Sequence, residues 1–212
     1  MRDVNALYPL LKMLGEELVR RCKKKGLNVK ITDCVRTKAE QDECLRKGTS
    51  TLPYPRGPHC WGIAFDICFN DKNDPYPKDN TKWTAAGTIG KELGLFWGGD
   101  WTTFPDRPHF QLDAFSVDDL IKTYGLPEAF FLDKEFKITT PALAIEQTSV
   151  RKKILWLQVR LNIHGQHITI DGQYGPQTIA AVKKFWMAKT GKSCTGKLVS
   201  ANAVKLLAAD PE

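Results

Sequence analysis

Gly57-Pro58-His59-Cys60-Trp61-Gly62-Ile63-Ala64-Phe65-Asp66-Ile67-Cys68-Phe69 is the stretch from which the rest of the chain can be read. From Ile63 onward the odd positions are large and apolar, whereas the even ones are Ala64, Asp66 and Cys68. Strand side chains alternate between faces, so 63–69 is predicted as a strand whose odd residues enter the core while Asp66 turns to the other face. A carboxylate there, seven residues after His59, is a candidate for chemistry. Spacing alone does not decide between a ligand pair and ordinary polar packing.

Working outward, residues 6–25 carry Leu7, Leu10, Leu11, Leu14, Leu18, Val19 and Cys22 at three- and four-residue steps and end in Lys23-Lys24-Lys25-Gly26. That is a helix with a basic last turn and a glycine stop. Val29, Ile31 and Asp33 read as a strand, and Thr37 with Glu40 as a capping box opening a helix from Lys38 to Arg46. Residues 47–58 are a proline- and glycine-rich loop. Downstream, a helix is expected near 83–94, a strand with Phe110 and Leu112 facing away from His109 and Gln111, and a helix at 117–124 capped by Ser116. Residues 126–148 read as an extended connection with its hinge at Thr139-Thr140-Pro141. Beyond it, Val150, Ile154, Leu157 and Leu161 recur at helical spacing, Pro176 opens a second helix, and Ser200 begins a third.

Charge divides the chain. Residues 147–212 hold ten basic side chains against three acids, so the whole formal net charge of +7 lies on the smaller part. A basic module on a neutral one points to a polyanionic partner, a cell wall or nucleic acid. The basic residues are scattered without a recognition motif, and no nucleic acid is expected. The six cysteines lack CxxC spacing and are read as free thiols in a reducing compartment of synthesis. No apolar run approaches membrane-spanning length and none follows a basic head, so synthesis in a host cytoplasm without a signal peptide, and no stable membrane association, are expected.

Only four histidines exist. His59, Asp66 and His109 offer two imidazoles and a carboxylate, a set that suits zinc and leaves its fourth position for water. Here the chain resembles a known family. Gly57 to Asp66 resembles the SxHxxGxAxD signature of zinc peptidases related to bacterial D-alanyl-D-alanine carboxypeptidases and phage L-alanyl-D-glutamate endopeptidases. Asp106-Arg107-Pro108-His109-Phe110 resembles that family's second signature, and Asp33-Cys34-Val35-Arg36-Thr37 with Gln41 resembles its arginine- and glutamine-bearing strand–helix element. The resemblance implies that His59, Asp66 and His109 ligate zinc and that Asp106 is the general base. Asp106 could otherwise cap the turn or pair with Arg107; Asp100 and Asp113 are the reserves. Arg36 is the expected clamp for a substrate carboxylate or the polarised carbonyl, against an ion pair with Glu40. Gln41 would orient Arg36 or substrate, and Trp97 and Trp101 would wall the cleft, unless they are core. One departure stands out: the family's serine is Gly57 here, so a substrate-holding hydroxyl is missing or is supplied from elsewhere, with Ser50 and Thr51 as candidates.

In the last part, Leu157-Gln158 with Arg160-Leu161-Asn162, followed by Asp171-Gly172-Gln173-Tyr174-Gly175-Pro176, resembles the peptidoglycan-binding three-helix repeat of wall hydrolases. Asp171 and its glycines are read as shaping a turn, and the groove beside Tyr174 and Trp186 as the place for glycan. The expected protein is therefore α+β: a Hedgehog/D-Ala-D-Ala peptidase-like catalytic domain (1–135) with a small antiparallel sheet and flanking helices, a linker (136–148) and a three-helix module (149–212). Its expected function is that of a monomeric endolysin acting at the bacterial wall, after release through a pore made by another protein, and cutting a stem-peptide bond, L-alanyl–D-glutamate by resemblance to the phage branch. A D,D-carboxypeptidase of the same chemistry and a wall-binding protein with a silent, structural zinc are the alternatives.

Overall fold

The computed structural model describes residues 3–134, 136–138, 140–142 and 144–211. Two compact units emerge, one of Met1–Lys91 with Leu95–Lys137, the other of Glu92–Gly94 with Ile138–Glu212. Among the described residues no helix is long and apolar enough to cross a membrane. All six cysteines are free thiols.

The first unit is built on a four-stranded antiparallel sheet. Its strands are β1 (Val29–Asp33), β2 (Ala64–Phe69), β3 (Phe96–Trp97) and β4 (His109–Gln111), in the order β1-β2-β4-β3. Paired residues on neighbouring strands share a face. The pairs Ile31↔Ile67 and Phe65↔Phe110 put apolar side chains on one side, where the Phe65 and Phe110 rings stack at 5.7 Å. Helix α1 (Pro9–Lys24) presents Leu10, Leu11, Leu14 and Leu18 as its buried stripe. It approaches so closely that a Cβ on Gly15 would lie 3.0 Å from Ile31 and 3.2 Å from Phe65. Helix α2 (Lys38–Arg46) begins at the predicted capping box: the Thr37 hydroxyl accepts from Glu40 N–H while the Glu40 carboxylate accepts from Thr37 N–H.

Helix α3 (Asn80–Glu92) starts three residues earlier than its apolar pattern indicates. It lies on the same sheet, and a methyl on Gly90 would fall 2.3 Å from Cε1 of Phe110. Gly90→Ala should therefore destabilise the protein by about 2–3 kcal/mol, since overpacking a ring held in the sheet outweighs the roughly 1 kcal/mol that alanine gains in helix propensity. Urea unfolding with an unchanged slope and a lower midpoint would show it.

Helix α4 (Val117–Tyr124) has its predicted cap, with the Ser116 hydroxyl accepting from Asp119 N–H. The stretch expected to be extended instead contains a helix, α5 (Pro127–Leu132). Six residues are too few to show periodicity, and burial of Phe130 fixes them: its ring stands 6.1 Å from Tyr8, 5.9 Å from Phe115 and 5.4 Å from Phe136. Thr139, in the expected hinge, lies outside the described residues.

In the second unit, β5 (Ile145–Glu146) pairs with β6 (Leu198–Val199), so part of the expected linker is sheet. Helices α6 (Arg151–Ile163), α7 (Pro176–Thr190) and α8 (Ala201–Ala208) match the three that the sequence predicts. Helix α6 is buried throughout from Ile154 to Ile163, including Gln158, Arg160 and Asn162. Gln158 organises the turn before α7: its Nε2 donates to Asp171 Oδ1 at 2.7 Å, and its Oε1 accepts from the Asp171 and Gly172 N–H groups at 3.1 and 2.8 Å. Asp171 is thus a turn former. An apolar groove here is lined by Val182, Phe185, Trp186, Cys194, Leu198 and Leu207; Tyr174 is not among its walls, being buried with its hydroxyl donating to Gly196 O at 2.9 Å.

Candidate metal centre and groove

On the face of the sheet opposite Phe65 and Phe110, the register aligns three polar residues in a row. Asp33 is opposite Asp66, and Asp66 is opposite His109. His59 joins them from a 3-10 turn, Pro58–Trp61, that begins where the proline- and glycine-rich loop of 47–58 ends. Pro58 suits that first turn, and Gly62 closes it at φ +66°. The segment after β1 holds the turn: Arg36 N–H donates to the His59 carbonyl at 3.2 Å, and His59 Nδ1 donates to the Cys34 carbonyl at 2.8 Å.

The inner atoms of the three side chains converge. His59 Nε2 lies 3.2 Å from His109 Nδ1 and 3.2 Å from Asp66 Oδ1, which is 3.3 Å from His109 Nδ1. The outer nitrogen of each ring is already committed, His59 Nδ1 to Cys34 O and His109 Nε2 to Gln111 Oε1 at 3.0 Å. Each imidazole can thus turn a lone pair inward, with its tautomer fixed from behind. Bonds of about 2.0–2.1 Å in a tetrahedral site put ligand atoms about 3.4 Å apart, close to what the three side chains already present. Among the described residues these three alone form a group of metal-ligating type, so no fourth side chain closes the sphere. The cluster also draws positive charge. Burial acts to raise the Asp66 carboxyl, but His59 and His109 hold it well below the usual carboxylate range. Burial acts against protonating His109, yet the hydrogen bond and charge of Asp66 raise it above its ordinary value.

A groove opens over this cluster, with Arg36, Gln41, Ser50, Trp101, Phe104 and Asp106 in its walls. Asp106 is held by its backbone: its N–H donates to Gly98 O at 2.9 Å, and its carbonyl accepts from His109 N–H at 3.1 Å. Burial, and then the Asp66 carboxylate, push its carboxyl above the usual range. The Arg107 guanidinium donates to Lys78 O. Asp100 is paired with Lys91 at 2.8 Å, and Asp113 is exposed. Arg36 does not pair with Glu40; its Nε donates to Asp33 Oδ2 at 2.6 Å and its second terminal nitrogen to Asp66 Oδ2 at 3.1 Å.

Gln41 is fully buried. Its Nε2 donates to Leu52 O at 2.7 Å and to Ser50 Oγ at 2.9 Å. A carbonyl only accepts, so the orientation of the amide is fixed, and Oε1 is left without a partner among the described residues. The same amide accounts for Gly57: a Cβ there would lie 3.1 Å from Gln41 Oε1. The Ser50 hydroxyl is engaged in holding that amide.

The structure brings Trp101 to the groove, its ring 5.1 Å from that of His109, but not Trp97. Trp97 is 6% exposed, its indole N–H donates to Arg107 O at 2.8 Å, and Gly87 and Gly99 lie against it. It packs behind the site and does not line the groove. Phe104, 48% exposed in the groove wall, was missed; an aromatic between Thr103 and Pro105 in a polar loop was its only signal. His164 belongs to the second unit, where its Nε2 lies 3.1 Å from Leu207 O.

Two imidazoles and a carboxylate around an open position, beneath a groove holding a further, half-buried carboxylate, define a protein able to hold one metal ion beside a bound substrate. Comparison with known proteins narrows this class. Residues 53–112 match the family described as D-alanyl-D-alanine carboxypeptidase, and residues 150–188 match a family described as a peptidoglycan binding domain. The chain is 31% identical over 122 residues to the peptidoglycan L-alanyl-D-glutamate endopeptidase CwlK of Bacillus subtilis (strain 168), covering 50% of this chain and 73% of that protein. It is 31% identical over 117 residues to the L-alanyl-D-glutamate peptidase of Listeria phage A118, covering 53% of this chain and 40% of that one. The crystal structure of the Serratia marcescens L-Ala D-Glu endopeptidase ChiX aligns at 22% identity and a TM-score of 0.44, over 51% of this chain and 81% of that one. The chain belongs to the D-alanyl-D-alanine carboxypeptidase family of peptidases.

Proposed function

We propose that this protein is a zinc-dependent peptidoglycan endopeptidase of endolysin type, cutting the L-alanyl–D-glutamate bond of the stem peptide at the bacterial wall. Residues 1–135 carry the chemistry, and 149–212 hold the enzyme on its substrate. The observation that carries this reading is the convergence of His59 Nε2, Asp66 Oδ1 and His109 Nδ1 at 3.2–3.3 Å beneath a groove with Asp106 in its wall. The names of the relatives supply the bond, and the match over residues 150–188, with the net charge of +7 on residues 147–212, supplies the anchor.

Zinc in such a site acts as a Lewis acid, lowering the pKa of water to about 7 and polarising a carbonyl. Asp106 takes the proton of the attacking water and passes it to the leaving amine. The Arg36 guanidinium, half-buried in the groove wall, offers positive charge to the carbonyl oxygen or to a substrate carboxylate. Gln41, buried behind the groove wall, holds Ser50 Oγ and the Leu52 carbonyl and so orients the wall that meets the substrate. Trp101 and Phe104 give the stem peptide apolar walls.

Mass spectrometry of digested peptidoglycan tests the bond. New N-terminal D-glutamate is expected; release of terminal D-alanine instead would make the protein a D,D-carboxypeptidase, and intact walls on which the protein stays bound would leave only a binding role.

A further inference from the structure

Asp33 is not among the residues that the peptidase reading assigns, yet it shares the row of Asp66 and His109. A bulge places it there. The β1–β2 register shifts between Ile31 and Asp33, leaving Thr32 as the extra residue, with its hydroxyl donating to the Asp66 carbonyl at 3.2 Å. Bulges beside functional sites re-aim side chains, and this one turns an acid toward the acid on the neighbouring strand. Two like charges directly opposite on an antiparallel pair are unfavourable, so this acid does not stabilise the sheet by itself. What joins the two is Arg36, whose Nε edge is held by Asp33 Oδ2 at 2.6 Å and whose terminal nitrogen reaches Asp66 Oδ2 at 3.1 Å. Asp66 is left with Oδ2 occupied and Oδ1 facing the two imidazoles.

We infer that Asp33 is a positioning residue for the metal centre: it holds the Arg36 fork edge-on, so that Arg36 takes one oxygen of Asp66 and leaves the other for the ion. This rests on the metal-site reading above. Without Asp33, the guanidinium is free to close on both oxygens of Asp66, the preferred bidentate geometry of such pairs, and competes with the ion. Outer partners of metal ligands typically contribute about 10–100-fold to affinity.

The test is a double-mutant cycle on the full chain, with zinc affinity measured by competition against a chromophoric chelator and thermal unfolding of the metal-free proteins alongside. Asp33→Asn should weaken zinc binding by about ten-fold while leaving metal-free unfolding near wild type. In an Arg36→Gln background the same substitution should change affinity by less than about two-fold, because the residue through which it acts is gone. Asp33→Glu, which keeps the carboxylate, should recover part of the loss. An affinity for Asp33→Asn equal to wild type overturns the inference. So does a loss of the same size in the Arg36→Gln background, which would mean that Asp33 acts on the ion through space. A wild-type protein that takes up no zinc would instead overturn the metal-site reading itself, before any variant is compared.

Discussion

Stripped of metal by a strong chelator, the protein is expected to stop clearing bare cell walls, with a loss of roughly 10³-fold or more, and to recover when zinc is returned. A loss of that size corresponds to about 4 kcal/mol of transition-state stabilisation, in the range that a Lewis acid supplies. Among the described residues lining the groove, Arg36 cannot replace it, since its guanidinium is already shared by two carboxylates. His109→Ala should reproduce the loss without recovery. It removes one of three converging atoms and also takes from Gln111 Oε1 and Asp66 Oδ1 their contacts with the His109 ring, leaving Asp66 Oδ1 only that with His59. Turbidity assays paired with metal analysis would decide, and sustained lysis by metal-free protein would end the proposal. Zinc should also raise the unfolding temperature of wild type, because an ion that binds only the folded chain adds about 2.7 kcal/mol at a hundred times its dissociation constant. In His109→Ala that rise should shrink.

Asp106→Asn should keep zinc content and wall binding but lower kcat by about 10²–10⁴-fold, the usual contribution of a positioned proton acceptor. Asparagine preserves size and can still be held by the Gly98 and His109 backbone contacts, which involve only main-chain atoms of residue 106. It cannot take a proton. The position is built with little tolerance: a Cβ at Gly98 would lie 2.6 Å from the Asp106 carbonyl and 3.0 Å from the His109 Cβ. Single-turnover hydrolysis of a purified muropeptide is the cleanest measurement. Turnover near wild type would remove Asp106 from the proposed chemistry, leaving the metal site untouched.

Legibility in the sequence followed element length and self-sufficiency. The capping box of Thr37 and Glu40, the alternation through 63–69 and the three C-terminal helices all carry their cause within the segment, and all are found. Even so, alternation described only half of β2. Ala64 and Cys68 are also buried, so the strand is covered on both faces and Asp66 alone is half-buried. Elements of two to six residues (β3, β5, β6 and α5) exist because distant partners hold them, and nothing local announced them. The site divides the same way. Residue types and motif order brought forward His59, Asp66, His109 and Asp106. The partners of Arg36 and the burial of Trp97 depend on register and packing, which spacing does not encode.

The pairing Phe65↔Phe110 is adjacent to Asp66↔His109 in the same ladder. A sheet has two faces, and sliding β4 by one residue exchanges them. A slipped strand would send an imidazole into oil and a benzene ring into the peptide channel. The apolar interlock on one surface therefore acts as the ruler for the polar row on the other. Softening Phe110, which touches no part of the groove, should blur ion binding before it melts the protein.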